Sequence, residues 1–153
     1  MEDLVKQFYD AFTKGDAETM STCYHENIVF EDPAFGELKG KDAGDMWRML
    51  CSQSQDLKIE YEILNCNSDE ATITWNAWNT FSRTGKPVHN IIHAHMRFQD
   101  GLIVEHRDVF DLHRWSGQAL GLQGKLLGWS SFFKKKLQQQ TGNLLAKYQS
   151  RNA

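Results

Sequence analysis

Four consecutive runs of alternating apolar and polar residues, at 57–66, 71–82, 87–99 and 102–112, constrain this chain more than any other feature. Alternation with a period of two is the pattern of a strand with one face buried. The runs are separated by Asn67-Ser68-Asp69, Arg83-Thr84-Gly85-Lys86 and Asp100-Gly101, each a short linker rich in turn formers. Linkers of that length join antiparallel neighbours, so the runs read as hairpin-linked strands of one sheet. Such a sheet must cover its apolar face, and the residues ahead of it supply the cover.

Leu4, Val5, Phe8, Tyr9 and Phe12 recur at helical spacing, and Gly15 closes that helix. Asp16 can cap a second, short helix reaching Tyr24. Residues 27–32 read as a strand that Pro33 ends, because proline cannot donate to a ladder. Pro33-Ala34-Phe35-Gly36 is a turn or short strand. A third helix follows Gly40, capped by Asp42, with Ala43, Met46, Trp47 and Leu50 on its buried stripe. The expected fold is therefore α+β: one curved antiparallel sheet packed on three N-terminal helices over residues 1–113. A helical tail at 114–153 completes it. In that tail Leu122, Leu126, Trp129, Phe133, Leu137, Leu144 and Tyr148 fall on one stripe, apolar enough to bury against the body or a partner copy. Gly121, Gly124, Gly128 and Gly142 interrupt it, which predicts two helical pieces.

A length of 153 residues, with 41% apolar and 24% charged, fits one globular domain able to bury a core. The net charge of −3 conceals a division. Residues 1–111 hold all 20 acidic residues and 10 of the 17 Lys and Arg, a net −10; residues 112–153 hold the other seven and no acid, a net +7. A basic tail and an acidic body attract, so packing of the tail on the body is favoured over contact with an anionic membrane through Lys134-Lys135-Lys136. Nucleic acid is not an expected partner, since the body is acidic and no recognised module is present. Cys23, Cys51 and Cys66 are odd in number and lack metal-ligand spacing, which points to a reduced, cytoplasmic compartment. The acidic N-terminus lacks a long apolar run, so neither a signal peptide nor a membrane span is expected.

Within the last run, residues two apart share a face, so His106, Asp108 and Phe110 point one way. A histidine and an aspartate beside an aromatic ring read as the polar floor of an apolar cavity, where proton-transfer groups tend to lie. Asp32 is a second carboxylate, at the end of its strand. His89, His93 and His95 also alternate, and such spacing can hold a metal, but no third ligand of suitable type is evident.

The order of these elements, with certain motifs, resembles the nuclear transport factor 2-like superfamily over roughly residues 4–122. The motifs are Lys14-Gly15-Asp16, Glu31-Asp32-Pro33 with Gly36, Gly40, Met96-Arg97-Phe98 and the closing Arg107-Asp108-Val109-Phe110-Asp111-Leu112. That group includes ketosteroid isomerases, limonene epoxide hydrolases and SnoaL-like polyketide cyclases. The resemblance implies a cone, three helices closing a bent sheet around an apolar pocket, with a homodimer contact on the convex face. Asp32 stands where the isomerases keep their aspartate base, but Phe8 and Ala94 occupy the two oxyanion-donor positions. Tyr9, next to Phe8, is expected to point elsewhere. In the epoxide hydrolase pattern Asp108 matches the closing-strand aspartate and Asp32 the asparagine, while Trp75, Ala77 and Phe30 replace an arginine, an aspartate and a tyrosine. The SnoaL-like pattern, a strand aspartate as acid/base among polar neighbours, is met by Asp108 with His106.

These readings converge on a small-molecule pocket protein, an acid/base enzyme of isomerase, cyclase or hydrolase type for an apolar cyclic or carbonyl-bearing substrate. Asp108 acts as acid/base, His106 tunes or relays its proton, and Asp32 is the second carboxylate. Phe30, Trp47, Trp75, Ala94, Met96 and Phe110 form the wall, and Asn79 orients a polar substrate group. No organic cofactor is indicated. Each residue has a structural alternative: Asp32 capping a strand end, Asp108 paired with Arg97 or Arg107, His106 satisfied by a backbone carbonyl. The alternative functions are a non-catalytic binder of hydrophobic ligands and an interaction or membrane-surface module using the tail. The histidine row lies on the convex face, where Ile91 beside it favours burial against a twofold mate.

Overall fold

The computed structural model describes residues 1–153. Helix α1 (Glu2–Thr13) buries Val5, Phe8, Tyr9 and Phe12, the spacing read from the sequence. Asp16 caps α2 (Ala17–Thr22) by accepting from the Thr19 amide. This helix stops short of Tyr24, which opens strand β1 (Tyr24–Asp32) three residues earlier than expected because it pairs with Ile103. After the 33–35 turn and β2 (Gly36–Lys39), helix α3 (Lys41–Gln53) starts at Gly40, not Asp42. Gly40 has φ +54, a backbone state that suits glycine. Asp42 stands instead in the first turn, where its charge favours the helix dipole.

The four alternating runs form β3 (Lys58–Cys66), β4 (Glu70–Phe81), β5 (Lys86–Gln99) and β6 (Leu102–Val109). The sheet is curved and unclosed, in the order β2-β1-β6-β5-β4-β3. The hairpin-linked strands pair antiparallel as read, and the one parallel pairing is β1 with β6. Two distant segments meet there, and no hairpin fixes their direction. Strand β6 ends before 112 because Asp111 caps the next helix through the Arg114 amide.

The concave face carries the core with α1 and α3: Phe8, Phe30, Met46, Trp47, Ile92 and Met96 are among its buried residues. On the outer face His89 stacks on Trp78 at 4.6 Å and meets Asn76 Oδ1 at 2.8 Å. His93 faces Thr74 and His95 faces Glu70, so each histidine has its own β4 partner. No three His, Cys, Asp or Glu side chains are grouped as a metal cluster.

Three helices, not two, make the C-terminal part: α4 (Leu112–Leu120), α5 (Leu122–Leu127) and α6 (Ser131–Arg151). Gly121, at φ +69, breaks α4 from α5, and Ser130 caps α6 through the Phe133 amide. Gly142 interrupts nothing and lies inside α6. Gly124 and Gly128 serve close packing: a Cβ on Gly124 would lie 1.9 Å from the Ser116 carbonyl oxygen. Helix α4 is tied to β5 and its turn, with Gln118 bonding the His89 backbone and Thr84 Oγ1 donating to the Ala119 carbonyl. Helix α6 lies across the turn that follows Asp32. Gln138 donates to the Pro33 carbonyl, Thr141 to the Ala34 carbonyl, and Gln149 to Asp42 and Asp45.

The apolar stripe expected in the tail forms only in part. Leu122, Leu126, Trp129 and Leu144 are exposed, Phe133, Leu137 and Tyr148 are half-buried, and Leu145, outside the stripe, enters the core. A stripe counted across helix breaks loses its phase at each one, because Gly121 and Ser130 restart the rotation. No helix is long and apolar enough to cross a membrane.

Candidate active site

Register places the site. Phe30 on β1 and Met96 on β5 flank His106, and Ala94 lies opposite Asp108. Alternation then turns both polar residues to the concave side, where His106 keeps 1% and Asp108 3% of its surface. His106 Nε2 lies 2.9 Å from Asp108 Oδ1, and its Nδ1 lies 2.7 Å from the Tyr24 hydroxyl. That hydroxyl accepts from Trp47 Nε1 at 2.8 Å. Trp75 Nε1 points at the same Asp108 oxygen from 3.4 Å.

Donor and acceptor counting assigns the protons in this chain. Tyr24, already accepting from Trp47, uses its own hydrogen on His106 Nδ1. His106 then carries its proton on Nε2 and donates to a carboxylate at Asp108. The opposite assignment, Nδ1–H toward Tyr24, leaves the tyrosine hydrogen without an acceptor. The run Trp47→Tyr24→His106→Asp108 satisfies every member, as a buried polar network must. Asp108 Oδ2 has no hydrogen bond. Neither arginine competes for it, since Arg97 and Arg107 both face Glu105.

Aromatic rings wall the imidazole on all sides. Phe8 and Phe30 meet it edge-on at 5.5 and 5.2 Å, and Trp47 lies nearly parallel at 6.1 Å. These rings hold the ring plane and exclude water, which strengthens each hydrogen bond within.

Asp32 ends β1, partly buried, and its Oδ1 accepts from the Ala34 and Phe35 amides at 2.9 and 2.6 Å. Burial pushes its pKa up to about 7, helped by the charge of Asp108, and outweighs the two amides that hold it down. The strand-end cap and the perturbed carboxyl are thus the same residue.

Two tyrosines join the site that the sequence did not assign to it. Tyr24 lies beyond the end of α2, and its partner His106 is 82 residues away, beyond any local signal. Tyr9 is fully buried, as its place in the α1 spacing predicts, and points elsewhere than Phe8, whose ring faces His106 and Trp47. It stacks on Tyr61 and meets Trp75, and its hydroxyl has no hydrogen-bond partner. Burial, followed by the charge of Asp108, raises its pKa well above the ordinary tyrosine value. A run of apolar residues at 8, 9 and 12 was the available signal that α1 is covered on more than one side.

The other residues named from sequence divide. Phe30, Trp47, Trp75, Ala94 and Met96 are buried in the same interior, and Phe110 packs against it half-buried. Asn79 stands apart, four residues along β4 from Trp75, about 13 Å at strand rise. It lines a separate groove of about 440 Å³ with Asp56, Trp78, His89 and Gln118.

A family model described as the SnoaL-like domain matches residues 5–106. No curated protein matches the chain. A solved candidate polyketide cyclase from Silicibacter sp. superposes with a TM-score of 0.68 at 18% identity, covering 77% of this chain and 93% of that one. IdmH, a candidate polyketide cyclase from Streptomyces antibioticus, gives 0.65 at 22% identity over 79% and 98%. An epoxide hydrolase from M. tuberculosis gives 0.59 at 19% identity over 81% and 92%.

Proposed function

This chain belongs to the SnoaL-like domain family, and from that premise we propose that it is an acid/base enzyme for an apolar, carbonyl-bearing small molecule. One observation carries the reading. A single aromatic interior holds Asp108 tied to His106 and, at its edge, an Asp32 carboxyl pushed up to about 7. Two carboxyl groups kept in different environments divide the roles of base and acid.

Asp108 Oδ2 takes a proton from the carbon beside the substrate carbonyl. The C–H electron pair moves into the carbon–carbon bond and the carbonyl pair onto oxygen. Asp32, protonated below about pH 7, delivers a proton to that oxygen. The Tyr9 hydroxyl, committed to no protein partner, is a donor for the developing negative charge. His106, anchored by Tyr24, fixes the Asp108 carboxylate and stabilises its negative charge before the transfer. Such acid–base assistance is worth about 10²–10⁴-fold in rate. The descriptions of the structural neighbours as cyclases and an epoxide hydrolase support a catalytic reading.

The test is a screen of ketones, enones, epoxides and polyketide-like esters against wild type, Asp108→Asn and Asp32→Asn. Turnover by wild type, its loss in Asp108→Asn with ligand binding retained, and a smaller loss in Asp32→Asn are expected. A hydrophobic molecule that co-purifies and is held equally by all three proteins, with no turnover, would make this a carrier instead.

A further inference from the structure

We infer that the corner between α5 and α6 is a docking surface for an anionic lipid bilayer. Leu122, Leu126, Leu127, Trp129 and Phe132 stand between 58% and 75% exposed within eleven residues of chain. Isolated exposed apolar residues are ordinary, but a contiguous group of this kind marks a contact. The Trp129 indole donates to the Leu126 carbonyl of its own corner, so the ring needs no outside polar partner. Exposed tryptophan rings settle at the level of lipid headgroups.

Charge names the occupant. Lys135 and Lys136 lie three and four residues after Phe132 on α6, and so share its face, with Lys134 beside them. None of the three is in an ion pair, and residues 112–153 contain no acid. Lysines flanking protruding Leu, Trp and Phe side chains match an acyl boundary beneath a layer of negative headgroups.

A second copy of the chain fits less well. Outside the tail the exposed large apolar residues are only Met1, Leu64, Ile91 and Val109, which offers no receiving patch of comparable size. Pairing of the corner with itself across a twofold axis would set two lysine triplets against each other. Since no helix can cross a bilayer, the contact is at its surface. The inference does not rest on the proposed chemistry, although a bilayer is a natural source of apolar substrate.

The full chain is mixed with phosphatidylcholine vesicles with and without phosphatidylserine, and bound protein is separated by flotation. Binding to the serine-lipid vesicles alone, reversed by salt, is expected. Trp129 emission should shift to the blue on binding, and Trp129→Phe should remove most of that shift. Lys134→Gln, Lys135→Gln and Lys136→Gln together should weaken binding by on the order of a hundredfold. Phe132→Ser with Trp129→Ser should abolish it, while circular dichroism shows an unchanged fold, as suits exposed positions. Equal binding to both vesicle types, or none to either, overturns the inference. So does a dimer seen by light scattering that Phe132→Ser dissolves, because a second copy would then cover the corner.

Discussion

Asp32 is held by two backbone amides, an arrangement that normally eases ionisation, yet its carboxyl is harder to ionise than an ordinary aspartate because burial dominates. The consequence for stability has a definite sign. The folded-state pKa of about 7 lies above the ordinary 3.8, so the folded chain binds this proton more tightly than the unfolded one. Below about pH 4 the residue is neutral in both states and contributes no penalty; between about pH 4 and 7 stability falls as pH rises, and above that the penalty is complete. Asp32→Asn keeps the acceptor and never ionises. Its melting temperature should exceed that of wild type at about pH 8 and approach it at about pH 4, as thermal unfolding at the two pH values would show. A gap independent of pH would contradict this. His106 and Asp108 were legible because alternation alone turns them inward. Tyr24 was not, because its role arises from a parallel seam between strands remote in sequence.

At the scale of elements, the C-terminal helices separate what periodicity can and cannot say. Helix content was legible, and so was part of the buried face of α6, at Phe133, Leu137 and Tyr148, but the stripe did not carry across Gly121 and Ser130, which reset the phase. Helix α6 seats one large apolar side chain, Leu145, in the core and reaches the Asp32 turn through Gln138 and Thr141. Leu145→Ala should therefore cost about 2–5 kcal/mol of unfolding free energy. The neighbouring Leu144→Ala, at a 54% exposed position, should stay within about 0.5 kcal/mol. Urea denaturation of the two variants measures both. Equal effects would mean that α6 is not docked as described. The four hairpin-linked strands were read to within a few residues, except where Asp111 diverts the chain into α4.

The whole molecule has two dissimilar sides: a concave face sealed by helices and an outer face bearing His89, Ile91, His93 and His95. Ile91, 38% exposed in a row of histidines, is the residue a twofold mate would cover. Light scattering at micromolar concentration should report a dimer that Ile91→Asp converts to monomer; a wild-type monomer across the range would contradict it. The cone was legible through the order of helices and hairpins, whereas the filling of its interior by Phe8, Tyr9, Trp47 and Trp75 depends on side chains from distant elements. The central claim, an Asp32 that stays protonated near neutrality beside an Asp108 locked to His106, can be measured in the protein alone. Carboxyl-carbon and imidazole-nitrogen NMR of labelled protein should show Asp32 titrating near 7, at lower pH in Asp108→Asn, with the His106 proton on Nε2. An Asp32 midpoint near the ordinary 3.8 in both proteins, or a His106 protonated on Nδ1 alone, would contradict the account.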